Sequence, residues 1–385
     1  MKIVYVYPHF RNFGGTERVL IDKMNYFASQ EGYEVYSITH EQGNYPMAYK
    51  MSPQVKHIDL GLRYGPLFQY NSLFRLYKGI QFDRLLKSRY DELMQSLKPD
   101  IVIATTYYNN LISIVGSCPV PYVRILESHI DKRYILNNDP LNRKSFLRWL
   151  HTSFLMKSIT RSARLFDLLV TLNEEDMKDW AEYVKTTVIS NVVHLNPTNK
   201  ISESTSKRVI FVGRYTEQKG IDDLFKVWQM VHTKCPDWRL DLYGEGHLMG
   251  NLLYEAKRLN IGIEVHKPCS DIFSKYIESS IFVMSSIFEP FGLVLPEAMS
   301  CGLPVVAFDC PYGPKEIIED GKTGFLIPDR DISYYAEKVC ELIKSYDLRK
   351  KMGEAAVVSS QRFSYDYVMP LWKDLFENLT KSSVS

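Results

Sequence analysis

Apolar residues fall along this chain in two alternating patterns. Short apolar runs at 3–7, 35–39, 55–60, 100–105, 122–126 and 168–172 read as strands. Between several of them apolar positions return every three to four residues, as at Val19, Leu20, Met24 and Phe27 within 17–30, which reads as a helix with one inward face. The same alternation restarts further on. Strands are expected at 209–212, 239–243, 281–284, 304–308 and 325–327, helices at 221–233 and 248–259, and a helix start at 296–300. A last helical stripe, Met369, Leu371, Trp372, Leu375, Phe376 and Leu379, needs an apolar partner. Strand–helix repetition of this kind predicts an α/β fold with mostly parallel sheets. The polar, aperiodic stretch 194–206 reads as a linker. The expected organisation is a first domain over 1–193, that linker, a second domain over 207–365, and a terminal helix over 366–385.

Length fits this division, because 385 residues are long for one core and comfortable for two. Apolar residues make up 45% and charged residues 24%, as in ordinary globular proteins. The formal net charge is +2, so nothing global points to nucleic acid. The first apolar run ends at Pro8 and is too short for a signal peptide, and no stretch is long and apolar enough to span a membrane. The six cysteines have no ligand-like spacing and are expected to be reduced thiols of a cytoplasmic protein.

In open α/β sheets the loops at the carboxyl ends of the strands form the binding crevice, and four candidate sites fall on such loops. Gly14-Gly15-Thr16-Glu17 stands at a helix start, where bare backbone N–H groups favour an anion; a plain tight turn explains it equally well. The loop 213–220 carries Arg214 and Lys219 within reach of one diphosphate, although solvated surface cations fit this loop alone somewhat better. The segment 286–298 holds Glu289 and Glu297 around Phe291-Gly292-Leu293 and Pro296, and could bring both carboxylates to one ligand, Glu297 accepting two sugar hydroxyls. His129, in Glu127-Ser128-His129, ends a strand and is able to handle a proton, though a lone histidine is a weak signal. The three-glycine dinucleotide fingerprint is absent after the first strand, which speaks against a nicotinamide-dependent oxidoreductase.

Taken together, these residues resemble family 4 of the retaining glycosyltransferases, which have the GT-B fold, as in bacterial cell-surface polysaccharide enzymes. The resemblance is strongest over Phe288–Val306, with the spaced glutamates followed by Ala-Met and Cys-Gly-Leu-Pro-Val-Val. Weaker matches come in order at Gly14-Gly15-Thr16-Glu17, Gly213-Arg214, Lys219-Gly220, Gly244-Glu245-Gly246 and Gly324-Phe325-Leu326. It implies two Rossmann-like domains facing each other across a deep cleft, the first holding the acceptor and the second the nucleotide, with the terminal helix crossing back to the first. It further implies that Gly14 and Gly15 offer backbone amides near the donor phosphates, that Arg214 and Lys219 neutralise the diphosphate, and that Glu297 holds the ribose. Glu289 would lie beside the donor sugar and His129 near its C6 hydroxyl, with Gly244, Phe291, Gly292 and Leu293 completing the donor site. Where many relatives carry Asn-Pro or Asn-Gly before the second domain, this chain has Ser190-Asn191-Val192-Val193.

The expected activity is transfer of a hexose or N-acetylhexosamine from a nucleotide-diphosphate sugar, UDP-linked, to a glycan or lipid-linked oligosaccharide acceptor in surface polysaccharide synthesis. No cofactor or metal is expected, because Arg214 and Lys219 take over a metal's electrostatic role. Two basic stretches, 67–90 and 141–164, interleave cations with apolar side chains, as a surface for an anionic membrane would, or as ordinary domain helices would. A cytoplasmic monomer or weak dimer, peripheral on the inner face of the membrane, follows. The alternatives are a transferase acting on a small acceptor, a GT-B-shaped sugar-nucleotide epimerase, and a non-catalytic nucleotide-sugar-binding module.

Overall fold

The structure is a computed structural model that describes residues 1–63, 72–106, 109–129, 132, 146–198 and 200–382. Of the basic stretches, residues 67–71 and 141–145 lie outside the described residues, as do the side chains of 72–76 and 146–152. The chain forms two compact units. The first comprises Met1–Val192 and Met369–Ser385, the second Val193–Val368.

The first unit is built on seven strands: β1 (Lys2–Val6), β2 (Glu34–Thr39), β3 (Lys56–Asp59), β4 (Ile101–Thr105), β5 (Val123–Glu127), β6 (Leu168–Thr171) and β7 (Thr186–Val188). They pair in the order β3-β2-β1-β4-β5-β6-β7, and every pair is parallel. Val4 stands opposite both Tyr36 and Val102, so β1 is central, and it is buried from Ile3 to Val6. Parallel strands covered on both faces carry such unbroken apolar runs. That is why the central strands are plain in the sequence. The edge strand β7 is not, since Thr-Thr-Val is only half-buried and has no apolar run.

The helix Gly15–Ala28 turns Val19, Leu20, Ile21, Met24 and Phe27 inward. The final helix, Tyr365–Ser382, supplies its part from Met369 onward to this unit. There the Phe376 ring lies 5.0 Å from that of Phe27, and Lys23 Nζ lies 4.1 Å from the Trp372 ring centre.

The second unit repeats the plan with β8 (Arg208–Val212), β9 (Arg239–Tyr243), β10 (Ile263–His266), β11 (Ile281–Met284), β12 (Val305–Phe308) and β13 (Gly324–Ile327). The order is β10-β9-β8-β11-β12-β13, again with parallel pairs throughout. Strand β10 alternates Ile-Glu-Val-His at the edge, a weak signal in the sequence. The helix Ile221–Lys234 follows β8. Its buried Ile221, Leu224, Phe225, Val227, Trp228 and Val231 follow helical spacing, with Asp222 and Asp223 in its first turn and Lys234 in its last, as its dipole favours.

The stretch 194–206 has no regular secondary structure. It is fastened to the second unit by Asn196 N–H to Ser300 Oγ (2.9 Å), Ser202 N–H to the Cys301 carbonyl (2.8 Å) and Arg349 Nη2 to the Ser204 carbonyl (2.9 Å). No described helix is long and apolar enough to cross a membrane. All six cysteines are free; burial pushes the Cys301 and Cys310 thiols up to about 12.

Candidate functional site

Each sheet reverses its strand order at one point, between β1 and β4 in the first unit and between β8 and β11 in the second. Loops leaving the carboxyl ends of strands at such a point make the crevice of doubly wound folds. In the second unit these are the loop after β8, with Arg214 and Lys219, and the loop after β11, with Glu289. Lys219 Nζ and Glu289 Oε2 form an ion pair there, with only 13% and 10% of the side chains exposed. Ser286 Oγ donates to the same carboxylate oxygen at 3.1 Å.

The backbone makes this meeting unavoidable. Ile287 N–H donates to the Gln218 carbonyl (2.8 Å), Gln218 Nε2 to the Phe288 carbonyl (3.1 Å), and Ser285 Oγ to the Lys219 carbonyl (2.8 Å). Gly220 is left-handed at φ 59°, and a Cβ there would lie 2.2 Å from the Ser285 carbonyl oxygen, so only glycine lets the loops touch. Gly313 N–H holds the Glu289 carbonyl at 2.8 Å. Arg214 is exposed and donates through Nη2 to Gln218 Oε1 at 3.3 Å. The structure thus brings Lys219 and Glu289 together and leaves Arg214 on the solvent side of the same loop.

Phe291, Gly292 and Leu293 lead into the short helix Val294–Ser300, with Gly292 at φ 92°. Glu297 lies in that helix, buried, and accepts a long hydrogen bond from Tyr276 at 3.4 Å. Gly244 follows β9, and a Cβ there would fall 1.9 Å from the Gly213 carbonyl oxygen, so the missing side chain lets the loops after β8 and β9 lie against each other.

In the first unit, Glu127 closes β5 and His129 follows two residues later. Glu127 Oε2 accepts from His129 Nε2 at 2.8 Å and from Lys23 Nζ of the helix Gly15–Ala28, all three side chains buried. They line a small pocket with Ser128, Asn191 and Trp372. Burial works against the Glu127 carboxylate, but Lys23 and His129 outweigh it and hold the group below the usual carboxylate range. Burial lowers Lys23 despite Glu127.

Gly14 precedes the helix start and Gly15 opens it. The Glu17 carboxylate folds back over Gly14, where a Cβ would lie 2.2 Å from its Oε2, and Tyr7 donates to it at 3.3 Å. The Glu17 side chain therefore already fills the space over Gly14 at this helix end, which leaves less room for an anion beside it.

Two groups test the metal question. Asp329-Arg330-Asp331 has the Asp-x-Asp spacing of a metal-binding triplet, yet Asp331 caps the helix Ile332–Lys344 through Tyr334 N–H (3.0 Å) and Asp329 pairs with Arg330 at 2.7 Å. Among the described residues, Asp241, Glu264 and His266 place ligand atoms within 4.8 Å of one another on β9 and β10, but Asp241 also has Arg208 at 3.8 Å and Arg239 at 3.9 Å. Both cations already occupy the field a metal would enter.

Residues 196–357 match the family of glycosyl transferases group 1. Over 97% of this chain and 99% of the relative, an uncharacterized glycosyltransferase of Haemophilus influenzae is 29% identical. The amylovoran biosynthesis glycosyltransferase AmsD of Erwinia amylovora is 25% identical over the same shares. This chain is a GT-B glycosyltransferase related to that family. A crystal structure of a TarM mutant from S. aureus, in complex with Fondaparinux, alpha-GlcNAc-glycerol and UDP, shares the fold. Its TM-score is 0.75 at 16% identity, covering 97% of this chain and 99% of that one.

Three residues of the glycosyltransferase that the sequence reading did not single out support the candidate site. Arg330 donates to the Ser285 and Ser286 carbonyls (3.2 and 2.6 Å) and pairs with Asp223 at 3.2 Å, tying the loop of Glu289 to the helix that follows Lys219. Lys23 and Glu127 hold His129. Lys23 does have a signal, a cation on the inward face of an amphipathic helix between Leu20 and Met24, which needs a buried anion.

Proposed function

We propose that this glycosyltransferase moves a hexose or N-acetylhexosamine from a UDP-sugar to a glycan or lipid-linked oligosaccharide of a surface polysaccharide, with retention of configuration. The observation that carries the reading is the meeting of Lys219 and Glu289 on the two switch-point loops of the second unit. A departing nucleoside diphosphate gathers negative charge on its β-phosphate oxygen while the sugar becomes cation-like. Lys219 and Arg214 stabilise that charge, and Lys219 trades part of its contact with Glu289 for phosphate. Glu289, so released, meets hydroxyls of the donor sugar. Glu297 accepts the ribose hydroxyls, Gly244 and residues Phe291–Leu293 form the backbone floor, and His129 meets the sugar's C6 hydroxyl. The amides of Gly14 and Gly15 have a lesser part, given the Glu17 carboxylate already there.

The acceptor hydroxyl attacks the face from which the diphosphate leaves. Its proton passes to the departing phosphate oxygen, the glycosidic bond forms, and the sugar–phosphate bond breaks. Glu289 takes no covalent part. Support for UDP comes from the S. aureus relative solved with UDP, and for a surface polysaccharide from the amylovoran enzyme. Anionic membrane association is part of this reading. On the helix Phe146–Ala163, Phe154 is 75% exposed beside exposed Lys157 and Arg161, with Arg164 and Leu165 exposed just beyond.

The test is a panel of UDP- and GDP-sugars offered with lipid-pyrophosphate oligosaccharides, following transfer. Labelled sugar appearing on the acceptor from a UDP-sugar is expected. Conversion of the sugar nucleotide without acceptor, or binding without turnover of any UDP-sugar, would overturn the reading.

A further inference from the structure

His129 is held by residues that do not themselves reach the reacting sugar in the reading above. Its Nε2 lies 2.8 Å from Glu127 Oε2, and that same oxygen takes the ammonium of Lys23. A carboxylate only accepts, so the shared proton sits on the imidazole Nε2. The other nitrogen, Nδ1, is the one Glu127 leaves to a ligand. Lys23 is in turn capped by the Trp372 ring, 4.1 Å from its ammonium, so an indole of the final helix closes the series. The second carboxylate oxygen, Glu127 Oε1, is buried without a partner, which means nothing else competes to turn the carboxylate. A buried Lys–Glu pair costs desolvation that an apolar pair would avoid, and such a pair often stabilises a fold less than its replacement. A role in orienting the ring explains why the charges are there.

We infer that Glu127 and Lys23 are positioning residues for sugar transfer, fixing His129 with Nε2–H on the Glu127 carboxylate and Nδ1 presented to the ligand. The inference rests on the proposed role of His129, and its arms separate the two. The experiment records the two-bond proton–nitrogen spectrum of the His129 ring in the full chain, assigned by its loss in His129→Gln, together with steady-state transfer kinetics. Wild type is expected to show a ring whose Nε2 carries the proton shared with Glu127. Glu127→Gln, whose amide is able to donate to Nε2 as well as accept from it, is expected to give mixed tautomers. Turnover should fall at least about tenfold, with the donor KM changed by less than about twofold. Lys23→Met leaves a bare buried carboxylate and stands to misfold, so Lys23→Met is made in the Glu127→Gln background, where both charges leave together. That double variant should fold and match Glu127→Gln in both readouts. An unchanged ring spectrum in folded Glu127→Gln, or changed tautomers with wild-type turnover, overturns the inference. Wild-type turnover in His129→Gln removes the parent reading instead.

Discussion

Lys219 and Glu289 lie seventy positions apart in sequence and share a nearly dry ion pair where the second sheet reverses its strand order. A cation held this way is aimed before the donor arrives, and aimed charges do more in a transition state than ones that must be gathered. Replacing Lys219 by Ala should therefore cut turnover by about 100-fold or more, and Arg214→Ala should do likewise through its reach to the diphosphate. Steady-state transfer kinetics decide this. Near-wild-type rates in both variants would remove the diphosphate assignment.

Arg330 should behave as a support for that pair. Its hydrogen bonds to the Ser285 and Ser286 carbonyls are made by a charged group, a type worth roughly 1.5–3 kcal/mol when lost. Arg330→Ala is expected to lower turnover while leaving a folded second unit, seen as a cooperative urea transition shifted to lower denaturant. Full activity with an unchanged midpoint would mean the latch is idle.

Gly220 offers a test of the close approach between loops. Gly220→Ala puts a methyl against the Ser285 carbonyl and an alanine at a left-handed φ, so destabilisation of roughly 1–3 kcal/mol is expected from urea denaturation. Gly321, left-handed but with open space at its Cβ, should lose less on the same change.

Acid stability should carry the mark of Asp176. Burial raises its carboxyl from 3.8 to about 6, against hydrogen bonds from Ser128 and Lys132 N–H that lower it. A raised acid holds its proton in the folded state after the unfolded chain has released it. Its contribution is therefore greatest below about 4 and is lost as pH rises towards 6. Asp176→Asn should flatten that fall, worth on the order of 2 kcal/mol, in melting measured across pH 4 to 7. Glu127 runs the opposite way, since its depressed carboxyl adds stability above the unfolded value of 4.5 and loses it on further acidification. The two windows are separable, and a wild-type-like slope in Asp176→Asn would contradict the assignment.

Transfer should survive chelation. If Arg214 and Lys219 do the electrostatic work, EDTA leaves the rate unchanged, whereas loss of activity that manganese restores would point to a metal and bring Asp241, Glu264 and His266 back into consideration.

How legible this was differs by residue. The central strands and the helix Ile221–Lys234 announce themselves, because a strand buried on both faces must be apolar throughout and a half-buried helix must repeat its apolar positions. The edge strands β7 and β10 do not, because only one face needs to be dry. Lys219 and Glu289 were readable as candidates from their loops, but their contact depends on a left-handed glycine and on which strands are neighbours, and no local pattern encodes that. Arg330 lies just past the last strand of the second unit, in a stretch that the sequence reading left without a role. Glu127 hides as the last residue of a strand, and only the ammonium of Lys23, reaching it from the helix Gly15–Ala28, shows why a carboxylate is there.

Residues from Met369 onward belong with the opening of the chain, where Phe376 meets Phe27 and Trp372 covers Lys23. A gene cut after Val192 would thus yield a first half with a bared aromatic groove and an uncovered buried lysine, and a second half trailing an orphaned amphipathic tail. Anyone wishing to isolate the first half must graft that tail back, for example by circular permutation, and the amino-terminal fold is complete only once the residues from Met369 onward have also been synthesised.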